Sequence, residues 1–343
     1  MRLSNRRTWR LLALLLAFTL TAAACGGDDD DAGGDVPSDV TGTVNISGSS
    51  TVEPISSLVA DLLAEENDGI DVTVDGPGTG DGFKLFCEGS TDISDASRPI
   101  KAEEAKVCAD AGIEFVELKV AFDGITVMTH PDNDAIECLS FADLYALIGP
   151  EATADNWSDA SALASSLGSK TDFPDEDLEI FGPGEESGTY DSFIEIALAG
   201  IAATRKADTG STRKSYQPSA NDNVIIEGVT GSEYSLGWVG FAFAEEAGDD
   251  VREIAISKTP GGTCVEPSVE TIADGTYPIS RALYIYVNID KAASNEALAA
   301  YVDFYLSDDG IAAVSEAGYV ELPDDELDAT RDRWEARTPG PAA

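Results

Sequence analysis

One histidine, His130, occurs in 343 residues, and none of the five cysteines forms a Cys-x-x-Cys pair. The ligand sets of ordinary zinc sites are therefore missing, and no metal or cofactor is expected. His130 stands beside Pro131 at an expected strand end, where it reads as a surface residue rather than a catalytic base. No Gly-x-Ser-x-Gly elbow is present either. These absences speak against an enzyme, an exported phosphatase included. Positive charge is equally scarce, with 21 Lys and Arg against 64 Asp and Glu and a formal net charge of −43. Nucleic acid as a partner is excluded on that ground, because phosphate backbones are bound by an excess of Lys and Arg. Anionic membrane surfaces are disfavoured for the same reason. A small anion captured by this chain is not drawn in by the overall field, so local donors must hold it.

What is present describes an exported globular protein. Apolar residues make up 43% and aromatics 8%, enough for two domains or one large core. Arg2, Arg6, Arg7 and Arg10 precede the apolar run Leu11–Leu20, which is short for a membrane span, and small residues follow it. This is a secretory signal over residues 1–24. Thr21-Ala-Ala-Ala-Cys25 resembles a bacterial lipoprotein box, with Ala22 where Leu is commoner, so Cys25 is the expected lipidation site. The Gly- and Asp-rich stretch that follows, to residue 42, is an acidic tether without the composition for a core. Cys87, Cys108, Cys138 and Cys264 remain, an even number suited to two disulfides in an oxidising compartment. Of three pairings, Cys87–Cys108 with Cys138–Cys264 is the expectation carried forward.

The chemistry-bearing residues cluster where strands run into helices. Leu178–Phe181 reads as a strand leading into Gly182-Pro-Gly-Glu-Glu-Ser-Gly-Thr-Tyr-Asp-Ser-Phe193, after which apolar residues recur at helical spacing. A helix beginning near Ser187, Gly188 and Thr189 offers unpaired N–H groups, hydroxyls and a partial positive charge to an anion. Three other turns repeat the pattern. Thr43–Ile46 enters Ser47-Gly-Ser-Ser-Thr51 before an apolar helix face at Ile55, Leu58, Val59, Leu62 and Leu63. Ile70–Val74 enters Gly76-Pro-Gly-Thr-Gly-Asp-Gly-Phe83, whose glycines miss the dinucleotide register. Asp92-Ile-Ser-Asp-Ala-Ser-Arg-Pro-Ile100 ends a short strand in Ser97 and Arg98, a guanidinium able to grip an oxyanion bidentately. Further on, residues 113–120 and 124–129 read as two strands with Ala121–Gly124 between them. Leu236–Phe243 and Val251–Ser257 read as strands, and Arg205–Tyr216 is a basic island carrying Arg213 and Lys214. Thr276–Ser280 leads the chain back into a strand over 283–289, two helices close the fold, and the charged residues 323–343 read as a disordered tail.

Taken together, these motifs resemble the periplasmic phosphate-binding proteins of ABC importers, the PstS family, over about residues 43–320. The carriers are Ser47–Thr51, Gly78–Gly82, Asp92–Ile100, Ala121–Gly124, Gly182–Thr189 and Tyr277-Pro-Ile-Ser-Arg281. The resemblance implies an α/β protein of the type II periplasmic-binding-protein fold, with two lobes joined by a two-strand hinge. Residues 43–120 and 277–322 would form one lobe and residues 121–276 the other. It implies a monomeric, lipid-anchored receptor outside the cell membrane that captures inorganic phosphate and delivers it to an importer's permease and ATPase. Contact with the membrane would be through the lipid alone. Rival readings are a receptor for sulfate or molybdate, and a phosphate-sensing partner of a signalling receptor.

Residue by residue, the resemblance implies that Ser50, Thr51 and the Val52 amide form the first anion turn, with Thr79 in the second. Ser187, Gly188 and Thr189 match the opposing loop. Two positions depart from the family pattern. Pro183 stands where many members carry an Arg, so the cation must come from elsewhere, with Arg98 the first candidate and Arg213 the second. Ser97 stands where many carry an Asp that accepts the proton of hydrogen phosphate. Asp81, Asp95, Asp123 or a hydroxyl oxygen must take that part, because sulfate, which carries no such proton, is otherwise equally suited.

Overall fold

A computed structural model describes residues 39–185 and 187–342; the expected signal segment, the expected lipidation site Cys25 and most of the expected tether lie outside the described residues. Eleven strands appear among these: β1 Gly42–Gly48, β2 Ile70–Asp75, β3 Ile93–Ala96, β4 Phe115–Thr129, β5 Cys138–Ser140, β6 Glu179–Pro183, β7 Gln217–Ser219, β8 Ser235–Gly240, β9 Arg252–Glu253, β10 Ala255–Ser257 and β11 Ser280–Asn288. One sheet runs β2-β1-β3-β11-β4-β8-β6-β7, with β9 also on β4, while β5 and β10 pair separately.

The sheet has two parallel ends joined by an antiparallel middle. β1 is parallel to β2 and β3, with the helices Glu53–Glu66 and Thr79–Cys87 as crossovers. β6 is parallel to β7 and β8. Between them β11 pairs antiparallel with β3 and β4, and β4 antiparallel with β8. Each end has its own apolar core. Val44, Ile46, Ile55, Val59, Leu118, Ile285 and Tyr301 pack on one side of the junction. Ile125, Val127, Leu147, Trp157, Phe193 and Trp238 pack on the other.

The middle differs from its sequence reading. β4 is one strand of 15 residues, not two strands with a turn at Ala121–Gly124. Asp-Gly is a common turn pair, but here the backbone of Phe122 exchanges hydrogen bonds with Val320 on one edge. β4 then continues past Gly124, exchanging β11 for β8 as its partner. All of it except Lys119 is buried, so it carries the chain from one core to the other without leaving the protein. Three other expectations change. The strand at Leu236 ends at Gly240, and Phe241–Ala247 is a helix. The strand over 251–257 is broken into β9 and β10 at Ile254, whose N–H donates to the Val127 carbonyl. The tail is not disordered: Asp324–Glu335 is a helix with Leu327, Thr330 and Trp334 buried. Its charged composition hides a narrow apolar stripe at helical spacing. Trp334 Nε1 donates to Asp303 Oδ1 at 2.6 Å, the Arg337 guanidinium lies 3.2 Å over the Trp334 ring, and Gly340 pairs with β4.

The cysteines pair as expected. Cys87–Cys108 joins the helices Thr79–Cys87 and Ala102–Asp110, and Cys138–Cys264 joins β5 to the segment after β10.

Candidate functional site

In a parallel sheet the chain leaves each strand toward a helix, and small ligands collect beyond the carboxyl ends where the strand order reverses. β1, between β2 and β3, is such a point, and its carboxyl end opens into Ser49, Ser50 and Thr51. Ser49 N donates to the Asp95 carbonyl at 2.9 Å, tying this turn to β3. Thr51 N donates back to Ser49 Oγ at 3.2 Å, and Val52 N to the Ser49 carbonyl at 3.1 Å. The Val52 amide, expected as an anion donor, is thus already engaged in holding the turn. Thr79 and Ser97 come together, with their hydroxyl oxygens 3.1 Å apart and Ser97 N donating to Thr79 Oγ1 at 3.2 Å. The helix carrying Thr79 sits so close to β1 that a Cβ on Gly82 would lie 2.4 Å from the Gly48 Cα.

β6 supplies the opposing loop. Ser187 caps the helix Gly188–Phe193, its Oγ accepting from Thr189 N at 3.2 Å. That helix runs on through a π-helical turn, Ile194–Leu198, into Ala199–Arg205. Gly188 faces the first turn directly: a Cβ there would sit 3.0 Å from the Ser50 carbonyl oxygen, so any other residue would push the two apart. Side chains also meet across this junction. Ser50 Oγ donates to Asp191 Oδ2 at 3.1 Å, and Thr51 Oγ1 lies 3.1 Å from Ser192 Oγ.

The cation hydrogen-bonded across this junction is neither of the two expected arginines. Arg98 forms a two-pronged pair with Glu104, at 2.8 and 2.7 Å, and lies over the Phe83 ring. Arg213 is buried inside the other core, donating to the carbonyls of Leu147 and Ala154 at 3.2 and 2.6 Å. Arg281 occupies the position instead. It opens β11 opposite Asp123 of β4, in the antiparallel middle of the sheet. Its Nη2 donates to Thr51 Oγ1 at 3.0 Å and Ser192 Oγ at 2.5 Å, its Nη1 to Glu195 Oε2 at 2.6 Å, and its Nε to Asp123 Oδ2 at 3.3 Å. One guanidinium therefore joins the first turn, the opposing helix and the strand between them. Both Arg281 and Asp123 lay inside motifs that carried the family resemblance. What the sequence could not convey was that residues 158 apart face each other in register.

The three candidate acceptors separate just as clearly. Asp81 is exposed on the first turn of its helix. Asp95 is fully buried and its carboxyl is pushed up to about 7 by burial, with the Glu53 charge adding to the rise. Neither of its carboxylate oxygens has a hydrogen-bond partner among the described residues, so no cation or hydroxyl of the first turn is bonded to it. Asp123 alone belongs to the Arg281 network. Burial pushes its carboxyl up, while Arg281 and a hydrogen bond from Ser192 pull it down.

The family model of the PBP superfamily domain matches residues 35–309. Protein SphX of Synechocystis is 40% identical over 292 residues, covering 84% of this chain and 81% of its own. The phosphate-binding protein PstS of Staphylococcus saprophyticus is 36% identical over 284 residues, covering 82% and 81%. Among solved structures, a phosphate-binding-protein candidate from Planctomyces limnophilus superposes with a TM-score of 0.77 at 33% identity, over 87% of this chain and 99% of that one. An ABC-type phosphate transport receptor from Vibrio cholerae, 21% identical with a TM-score of 0.59 over 82% and 100%, shares the fold. With its two parallel half-sheets, a two-strand middle and hydroxyl-bearing turns that face each other across it, this chain belongs to the PstS family of phosphate-binding proteins, within the PBP superfamily.

Proposed function

We propose that this protein captures inorganic phosphate between its two half-sheets and hands it to an ABC importer. It does so as a receptor rather than an enzyme. The observation that carries the reading is Arg281: a guanidinium touching Thr51 on one side and Ser192 on the other, beyond the carboxyl ends of both parallel strand sets. An oxyanion there meets a charged fork together with hydroxyls from Ser50, Thr51, Thr79, Ser97, Ser187 and Thr189. The two lobes are residues 43–120 with 277–322, to which the helix Asp324–Glu335 adds, and residues 121–276. Donors from both sides reach one anion only when the lobes are together, so phosphate favours the closed arrangement by the difference in its contacts. Asp123 supplies the acceptor for the proton of hydrogen phosphate, because it is the buried carboxylate in contact with the cation. Sulfate offers no such proton and leaves that acceptor facing a bare oxyanion.

Titration calorimetry of the mature chain with phosphate, arsenate, sulfate and molybdate tests this directly. Tight phosphate binding that survives millimolar sulfate is the expected result. Tight sulfate or molybdate binding with no phosphate heat would assign the site to another oxyanion. For delivery, deleting the gene should slow labelled phosphate uptake at low external phosphate; unchanged uptake with a blunted starvation response would favour a sensor. Lipid attachment at Cys25 is tested by fatty-acid labelling, which Cys25→Ala should abolish, and the mature chain is expected to sediment as a monomer.

A further inference from the structure

The helix that begins at Gly188 presents three polar side chains along one edge. Asp191 accepts from Ser50 Oγ at 3.1 Å, Ser192 meets Thr51 Oγ1 at 3.1 Å, and Glu195 accepts from Arg281 Nη1 at 2.6 Å. These sit at i, i+1 and i+4, and Glu195 lies in the π-helical turn Ile194–Leu198, a distortion often found at functional sites. Their partners across the junction are the donors the anion itself would use. Glu195 is no buried structural carboxylate: its side chain is 58% exposed, against 3% for Asp123 on the same guanidinium. Asp191 is exposed as well. Asp123 therefore fixes Arg281 from inside, while Glu195 takes an outer nitrogen from the solvent side.

We propose that Asp191 and Glu195 set the affinity of the site, as tethered carboxylates that compete with the bound anion for Ser50 and Arg281. This rests on the anion lying where the preceding reading places it. A carboxylate presents two oxygens to a guanidinium much as a phosphate does, so the contacts are exchangeable in kind. Each carboxylate must yield its donor, or share it, when an oxyanion arrives, which lowers the net gain on binding. Both acids also link the half-sheets through side chains, so they favour approach of the two sides by the same bonds that weaken capture.

The test is phosphate titration of the mature wild-type chain beside Glu195→Gln, Asp191→Asn and Glu185→Gln. Glu185 is exposed in the same loop and lies outside these bonds, so it removes one negative charge without freeing a donor. Glu195→Gln should bind phosphate about five- to twentyfold more tightly and Asp191→Asn about threefold, with Glu185→Gln below about twofold. Small-angle scattering without added anion should show Glu195→Gln more expanded than wild type, and equal to it at saturating phosphate. Wild-type binding with equal or weaker affinity in Glu195→Gln would overturn this inference and leave the site standing. An equal gain in Glu185→Gln would reduce it to a field effect and overturn it too. Failure of the wild type to bind phosphate would bring down both readings together.

Discussion

Arg213 and Arg281 are both largely removed from water, and the contrast between them separates structure from function. Arg213 directs its donors at the backbone carbonyls of Leu147 and Ala154 and at Ser215, with only the exposed Asp155 carboxylate, 3.5 Å away, as a charged partner. Those carbonyls belong to the ends and connections of neighbouring elements, and the guanidinium satisfies them where water does not reach. Arg281 directs its donors at two hydroxyls and two carboxylates on three separate elements. Side-chain partners that meet across a junction can be exchanged for a ligand, whereas backbone carbonyls inside a core cannot. Burial alone does not mark a functional cation; the mobility and chemistry of its partners do.

Substitution of the two arginines should break the comparison most sharply. Arg281→Ala is expected to reduce phosphate affinity by about a hundredfold or more, since a hydrogen bond to a charged group is worth about 1.5–3 kcal/mol and more than one is lost. Arg213→Ala should instead lower stability by about 2–3 kcal/mol, through carbonyls left unsatisfied, with phosphate affinity of the folded protein unchanged. Calorimetry and denaturant unfolding on the same two variants would expose the reverse pattern, which would exchange their roles.

Two buried carboxylates extend the contrast to pH. Asp123 has a cation and Asp95 has none, and the Asp95 carboxyl stands at about 7 against an ordinary value of 3.8. Its folded state binds the proton more strongly than the unfolded chain does. The stability it contributes is therefore fully present below the unfolded value and is lost as pH rises through about 7. Unfolding free energy should fall by about 2–4 kcal/mol across that window. Asp95→Asn should flatten this slope, and urea midpoints unaffected by the substitution between acidic and neutral pH would refute it.

A hydroxyl gives the next smaller effect. Thr51→Val keeps the shape of the first turn but removes the oxygen that Arg281 Nη2 reaches, and phosphate should bind about tenfold more weakly. Smallest of all is Arg98→Gln, which breaks the partly exposed pair with Glu104. A loss of stability below about 1 kcal/mol is expected, with phosphate affinity unaltered. A loss of affinity matching that of Arg281→Ala would return Arg98 to the site.

The parallel ends of the sheet were readable because they are local. Ile55, Val59 and Leu63 repeat at helical spacing, Ile70, Val72 and Val74 alternate, and hydroxyls gather where one pattern gives way to the other. The helix start at Ser187–Thr189 follows from those same signals, whereas the contact between Thr79 and Ser97, 18 residues apart, does not. The middle of the sheet was less legible. Gly124 and Asp123 resemble a turn, yet edge pairing from Val320 and register with β11 keep β4 extended. The last helix was obscured because three buried residues, Leu327, Thr330 and Trp334, are diluted among nine others in a charged segment.

Composition and spacing by themselves determined the class of protein: an acidic α/β chain, poor in histidine, with hydroxyl-bearing turns at strand ends and four cysteines to pair besides Cys25. Those properties depend on residues near one another in sequence, whose backbone hydrogen bonds and periodic apolar faces form locally. Tertiary structure decided which arginine stands between Thr51 and Ser192, which aspartate stands with it, and which other acid shares its donors. Arg281 reaches Thr51 and Asp123 only because β11 returns antiparallel between β3 and β4. Charge pairing at this range depends on where the strands bring side chains together, and local sequence carries no record of that distance.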